Sequence, residues 1–322
     1  MSYGEDVQIA LNIQNSFGEL QVGSLFFIPF LSENISLKKE PIVRQGLRGV
    51  YDDGEVSEGM NTIDGDLEVE AHPILLGVML KAALGQPTTS AVGSVFSHLF
   101  TPRQDDFDQF SSNFPLTVTK NTADGGSAQI FYNMVVSNLE LNIAGGELQK
   151  AKISLMGGDW TQQAAPAASY LTEVDWTWDV SSIQVGGSNL VGLKDLSFKI
   201  DIPNDSSFTL GQGDKFPSHT KRSGFRVVTV DGTLIFDNQT EFQKFINQSD
   251  EELIFTLTGE TEVGSGYYDV LEIKVPKFRY LEHPIEAGGP GQIEVGVSAK
   301  AVYSTSSNTA IQITLQNTQS SY

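Results

Sequence analysis

Ile63-Asp64-Gly65-Asp66-Leu67-Glu68-Val69 and, in the second half of the chain, Val230-Asp231-Gly232-Thr233-Leu234-Ile235-Phe236 carry one pattern: an apolar residue, Asp-Gly, then Leu. In the first stretch Ile63, Leu67 and Val69 fall on one side of a two-residue period and Asp64, Asp66 and Glu68 on the other, as in a strand with one face buried. Two more echoes keep the same order. Ile35-Ser36-Leu37-Lys38 precedes the first copy and Leu196-Ser197-Phe198-Lys199 the second. Val136-Ser137-Asn138-Leu139-Glu140-Leu141 follows the first and Val275-Pro276-Lys277-Phe278-Arg279-Tyr280 the second. A segment with helical signals lies just downstream of each Asp-Gly strand. Ordered self-similarity of this kind points to one unit written twice.

Outward from these anchors the chain reads as antiparallel β. Leu139, Leu141 and Ile143 share one face, and Ile153 and Leu155 continue it after the Gly145-Gly146 turn, which predicts a hairpin. In the second half Gly288-Gly289-Pro290-Gly291 takes the place of that turn. Ile293, Val295 and Val297 then line a return strand, and Ile311, Ile313 and Leu315 a last one. The stretch from His72 to Gly85 has Pro73 at the first helical position, Gly85 past the end and apolar residues nearly all round, so it predicts a buried helix. A shorter helix is expected from Thr240 to Gln248, with Thr240 as N-cap and Phe242, Phe245 and Ile246 on one face. Aperiodic polar stretches fall at 39–61 and 201–222, with a third at 86–113 in the first half alone. The expected organisation is a first domain at 1–160, a Pro-containing linker at 161–172 and a second domain at 173–322.

Forty acidic against twenty basic residues give a formal charge of −20, and no stretch gathers Lys and Arg as a phosphate backbone requires. An acidic surface also keeps subunits soluble by repulsion. There is no cysteine, which excludes disulfides and thiolate metal sites. The opening MSYGEDVQIALNIQNS lacks the basic and apolar regions of a signal peptide, and the apolar run after His72 is far short of the ~20 residues that span a bilayer. The expectation is a soluble chain made in the cytoplasm, without membrane insertion.

Signals for chemistry are weak. His72, His98, His219 and His283 are scattered without ligand spacing. Asp52-Asp53-Gly54-Glu55 and Asp105-Asp106-Phe107-Asp108 could offer oxygen ligands to a hard cation, but they lack an EF-hand pattern and read more simply as solvated loops. The glycine pairs lack phosphate-cradle spacing. Trp176-Thr177-Trp178 puts two aromatics on one face of a strand, either as a sugar platform or, more simply, as core. No catalytic, cofactor or metal residue is expected, and no enzyme.

The chain resembles the tail tube proteins of long-tailed, siphovirus-type bacteriophages. The resemblance rests on the S-[LF]-K strands at Ser36 and Ser197, a long loop, the D-G-x-L strands at Asp64-Gly65 and Asp231-Gly232, a helix and a closing hairpin with a Gly-rich turn. The terminal strands from Ala301-Val302-Tyr303 to Ile311-Gln312-Ile313-Thr314-Leu315-Gln316-Asn317 also match. It implies a mainly β fold of two tandem tail-tube-like β-sandwich domains, each with a flanking helix and long loops, where simpler members have one. It implies a virion structural protein whose copies join sheet edges into rings, trimeric here and pseudo-hexameric. The rings stack into a conduit for DNA ejected from the virion tail into the host. Implied partners are further copies, a tape measure protein, a tail terminator and baseplate proteins, with DNA in transit and no cofactor. Glu55, Glu58, Asp64, Asp66 and Glu68 are the candidate lumen-facing residues. A carbohydrate-binding tail adhesin or baseplate module is the alternative.

Overall fold

In the computed structural model the described residues are 6–322 except 15–16, 19, 21–24, 45, 47–48, 50, 53, 105–113, 123–125, 173–175, 180, 212 and 286–290. The chain is mainly β. Its first half runs β1 (Gln8–Ile13), β2 (Phe26–Ile28), β3 (Ser32–Glu33), β4 (Ser36–Lys39), β5 (Ile42–Val43), β6 (Val56–Ser57), β7 (Asn61–Glu70), α1 (Pro73–Leu84), β8 (Thr88–Val92), β9 (Val95–Phe100), β10 (Leu116–Asn121), β11 (Ser127–Ala144) and β12 (Lys150–Ala164). The second runs β13 (Ser181–Val185), β14 (Ser188–Asn189), β15 (Leu193–Asp201), β16 (Asn204–Ser207), β17 (His219–Arg222), β18 (Val227–Ile235), α2 (Thr240–Asn247), β19 (Glu251–Gly264), β20 (Tyr267–Glu282), β21 (Glu294–Ala301) and β22 (Gln312–Asn317).

One antiparallel series carries the Asp-Gly strands at its heart. It runs β4, β7, β12, β11, then β15, β18, β21 and the end of β20. In the first half Ser36 lies opposite Asp64; in the second Ser197 lies opposite Asp231. The halves meet where residues 138–144 of β11 pair with 195–201 of β15. They meet again where β9 pairs with β22, extending the series β19, β20, β22 into the hairpin β8–β9. Apolar faces from both halves therefore close over one continuous core, with Leu67, Leu139, Ile153, Phe198, Val230, Phe255 and Ile313 all buried in it. Helix α1, buried on nearly every side, packs against β1, β9, β11, β20 and β22.

Both helices form close to where the sequence places them. His72 caps α1, its Nδ1 accepting from the Ile74 N–H at 3.2 Å and its Nε2 bonding the Thr172 carbonyl at 2.9 Å. At α2 the expected Thr240 cap is instead the first helical residue. Gln239 holds the cap position without a side-chain bond, and Asn238 Oδ1 accepts from the Thr240 N–H at 2.8 Å. Three segments read as aperiodic contain hairpins: β5–β6 within 39–61, β16–β17 within 201–222 and β8–β9 within 86–113. The linker stretch 161–172 is strand as far as Ala164, because Ser127 to Ile130 pair with it. The second-half turn at Gly288-Gly289-Pro290-Gly291 lies outside the described residues apart from Gly291.

Candidate functional site

A strand with one face in the core presents its alternate side chains on the other face. Across the series from β4 to β21 these outward residues form rows. Glu68 lies opposite Lys152, Lys152 opposite Glu140, Glu140 opposite Lys199, Lys199 opposite Thr229 and Thr229 opposite Lys300. A second row runs Glu70, Lys150, Asn142, Ser197, Asp231, Ser298. A third runs Asp66, Ser154, Asn138, Asp201, with the Asn138 amide donating to Asp201 Oδ1 at 2.6 Å. Rows cross the join between the halves without a break, so the face is one polar surface built by both. It interleaves lysines with carboxylates, an alternation that favours neighbouring strands.

The five predicted residues divide. Asp64, Asp66 and Glu68 stand together on the outward face of β7. Asp64 pairs with Lys38, and Glu68 accepts from the Ser32 hydroxyl at 3.2 Å. Asp66 accepts from Ser154 Oγ at 2.6 Å and pairs with Lys152 at 3.0 Å. The Ser154 bond, with help from Lys152, holds its carboxyl below the usual range. Glu55 and Glu58 sit off this face, in the exposed β5–β6 region. Glu55 is 3.4 Å from Arg44, and Glu58 pairs with Lys215, whose hydrogen bond lowers its pKa. The lysines and the β15–β11 row went unnoticed in the sequence, although Lys199 and Glu140 each lie inside a repeated pattern.

The family profile described as phage tail tube protein matches residues 4–302 of the 322. This chain belongs to the phage tail tube family. Comparison with curated proteins gave no match. Membership makes the protein a structural component of a virion tail, and none of the helices among the described residues is long and apolar enough to cross a membrane.

In this tail tube chain the remaining chemical candidates have structural surroundings. His98 is wholly buried on β9, with Nδ1 2.8 Å from Thr89 Oγ1 and Nε2 2.8 Å from the Gln319 carbonyl, its ring edge-on to Tyr322. His283 is buried among Phe242, Phe245 and Tyr280, and His219 lies beside the Ser218 hydroxyl. No group of three or more His, Asp or Glu is arranged for a metal among the described residues. Asp105-Asp106-Phe107-Asp108 lies outside those residues, as does Asp53.

The Trp176-Thr177-Trp178 pair is split. The segment is not strand; Trp176 is buried in the core and Trp178 half-exposed, so the two rings do not share a face. Trp178 lines a cavity of about 380 Å³ with Asp179, Ile183, Leu190 and Lys194.

Proposed function

We propose that three copies of this chain close a ring whose six half-chains mimic sixfold symmetry, and that such rings stack into the tube through which the phage genome passes. The family supplies the tail role; the supporting observation is the series from β4 to the end of β20, in which two four-strand sets lie edge to edge under one unbroken polar face. Closed cyclic symmetry fixes the number of interfaces, and two similar sets per chain halve the copies a sixfold ring needs. The polar face is the wall of the channel, with Asp64, Asp66 and Glu68 on it, and the function is conduction and scaffolding instead of catalysis. Subunits assemble in the host cytoplasm, and the tube meets a tape measure protein inside, a terminator at one end and the baseplate at the other. The halves, divided in the region after Ala164, are the two tail-tube-like units.

Negative-stain microscopy of the concentrated purified protein tests this. Rings or tubes of uniform diameter with threefold averages are expected. Monodisperse monomers under all conditions, with saturable binding of a glycan, would overturn it in favour of an adhesin.

A further inference from the structure

Strand β20 turns Asp269, Leu271, Ile273 and Val275 toward the core, and three of the four are apolar as that face requires. Asp269 breaks the pattern. It is 4% exposed, and its carboxyl has no hydrogen-bond or ion-pair partner among the described residues. A buried carboxylate without a partner is costly, and a residue that breaks the local rule in this way points to a site.

Asp269 lines a cavity of about 230 Å³ where three parts of the chain meet. The start of α1 supplies Pro73 and Ile74, the segment after β12 supplies Leu171 and Thr172, and the second half supplies Val263 of β19 and Thr318 just past β22. Exposure orders these residues by depth. Thr172 and Thr318 are exposed, Ile74, Leu171 and Val263 half-buried, and Asp269 buried, so the cavity has a threonine mouth, apolar walls and an acidic floor.

No lysine or arginine lines it. His72, the other titratable residue of the lining, is kept neutral by burial, and Tyr322 nearby is kept protonated by burial and by the Asp269 charge. Helix α1 begins at this wall, but Pro73 has no N–H and that of Ile74 is taken by His72 Nδ1. The carboxylate therefore lacks a counter-charge within the described residues.

We propose that this cavity binds a primary alkylammonium group, with the ammonium on the Asp269 carboxylate and the methylenes along Ile74, Leu171 and Val263. The chemistry of the lining selects this class. One carboxylate beside two threonines offers too few oxygens for calcium. A quaternary ammonium is recognised by faces of Trp, Tyr or Phe, and none lines the cavity. A four-carbon stem ending in a compact ammonium with three N–H donors matches apolar walls above an acidic floor. A lysine side chain of another protein and a free diamine share that chemistry. The site lies apart from the polar face described above, and it stands or falls independently of the ring reading.

Thermal melts of the purified chain at about pH 7.5 test it, with Nα-acetyl-lysine N-methylamide and diaminobutane as probes and n-butanol as the uncharged control. Either amine should raise the melting temperature to a plateau, because a ligand that binds only the folded state stabilises it as the site fills. The tighter of the two identifies the source. Asp269→Asn keeps the shape and removes the charge, so it should lose the response to both amines. The wild type should also lose it at about pH 4.5, where the carboxyl, pushed up to about 6 by burial, is protonated. Carbon-13 NMR gives a second reading: added amine should move the Asp269 titration midpoint downward from about 6, and an equal concentration of sodium chloride should not. Absence of a saturable shift with either amine at about pH 7.5, or an equal shift with n-butanol or in Asp269→Asn, would overturn the proposal.

Discussion

Gly65 and Gly232 show what the repeated Asp-Gly pair does. A Cβ on Gly65 would lie 2.5 Å from Ile35 Cα, and one on Gly232 would lie 2.7 Å from the Asp195 carbonyl oxygen. Each glycine admits the adjoining strand at an irregular point, between β3 and β4 in one case and at the β15 register shift in the other. Gly65→Ala and Gly232→Ala should each destabilise the fold by roughly 1–3 kcal/mol, read as a lower denaturation midpoint, because backbone has to move. Gly146→Ala, where a Cβ meets nothing within 4 Å but φ is +84°, should cost less, about 1 kcal/mol. Asp269 makes a second residue-level case. It is 4% exposed, and burial pushes its carboxyl up to about 6. Its folded pKa thus lies above the unfolded value of about 3.9. The stability linked to the neutral form is fully present below about pH 4 and is lost as pH rises through about 6. Asp269→Asn should match the wild type at pH 4 and exceed it by on the order of 1 to 2 kcal/mol at pH 7.5, measured by thermal melts across that range.

The two helices each follow an Asp-Gly strand in the chain but carry different energetic weight. Leu80 of α1 is wholly buried, and the helix packs against strands of both halves, so Leu80→Ala should cost about 2–5 kcal/mol. Ile246 of α2 is 55% exposed, and Ile246→Ala should fall within about 0.5 kcal/mol of the wild type; chemical denaturation of the pair checks both. Elements with strong local signals were legible in the sequence: the Pro73 start, the Gly145-Gly146 turn, and the alternation of Leu139, Leu141 and Ile143 against Ile153. Hairpin β8–β9 was not read, although Val92 and Val95 flank a two-residue Gly93-Ser94 turn with Gly93 at φ +61°, a strong local signal. Its polar Thr88, Thr89 and Ser90 hid it. Polarity there follows from an exposed edge, since β8 pairs with β9 and leaves those side chains in solvent. The pairing of β9 with β22 had no local signal at all, because it joins residues more than two hundred positions apart and depends on closure of the whole core. The candidate face was half legible. Alternation set Asp64, Asp66 and Glu68 together, but which lysines stand opposite depends on register, which tertiary packing fixes.

At the scale of the molecule, the total of −20 hides how charge is arranged where DNA would pass. The face is not a bare acidic wall: Lys152 lies between Glu68 and Glu140, and Glu140 lies between Lys152 and Lys199. Directly opposed side chains on neighbouring strands sit about 5 Å apart, inside the ~10 Å Debye length at 0.1 M salt, so Lys152 and Lys199 are screened by carboxylates before a phosphate reaches them. Repeated around a ring, such rows would present the duplex with cations too well paired to exchange for its counterions, and so with little to bind. Removing the carboxylates should expose that hidden attraction. Virions carrying Glu68→Gln and Glu140→Gln should assemble tails of normal length, because the changes keep side-chain size and leave the core face untouched. Their genome ejection should be slow at low ionic strength and return toward the wild-type rate as salt rises, the signature of phosphate contacts made by Lys152 and Lys199, which then keep only Asp66 and Asp201 as acidic partners. Ejection kinetics measured over a salt series decide the matter: equal rates for variant and wild type at every salt concentration would mean that this face does not meet the DNA.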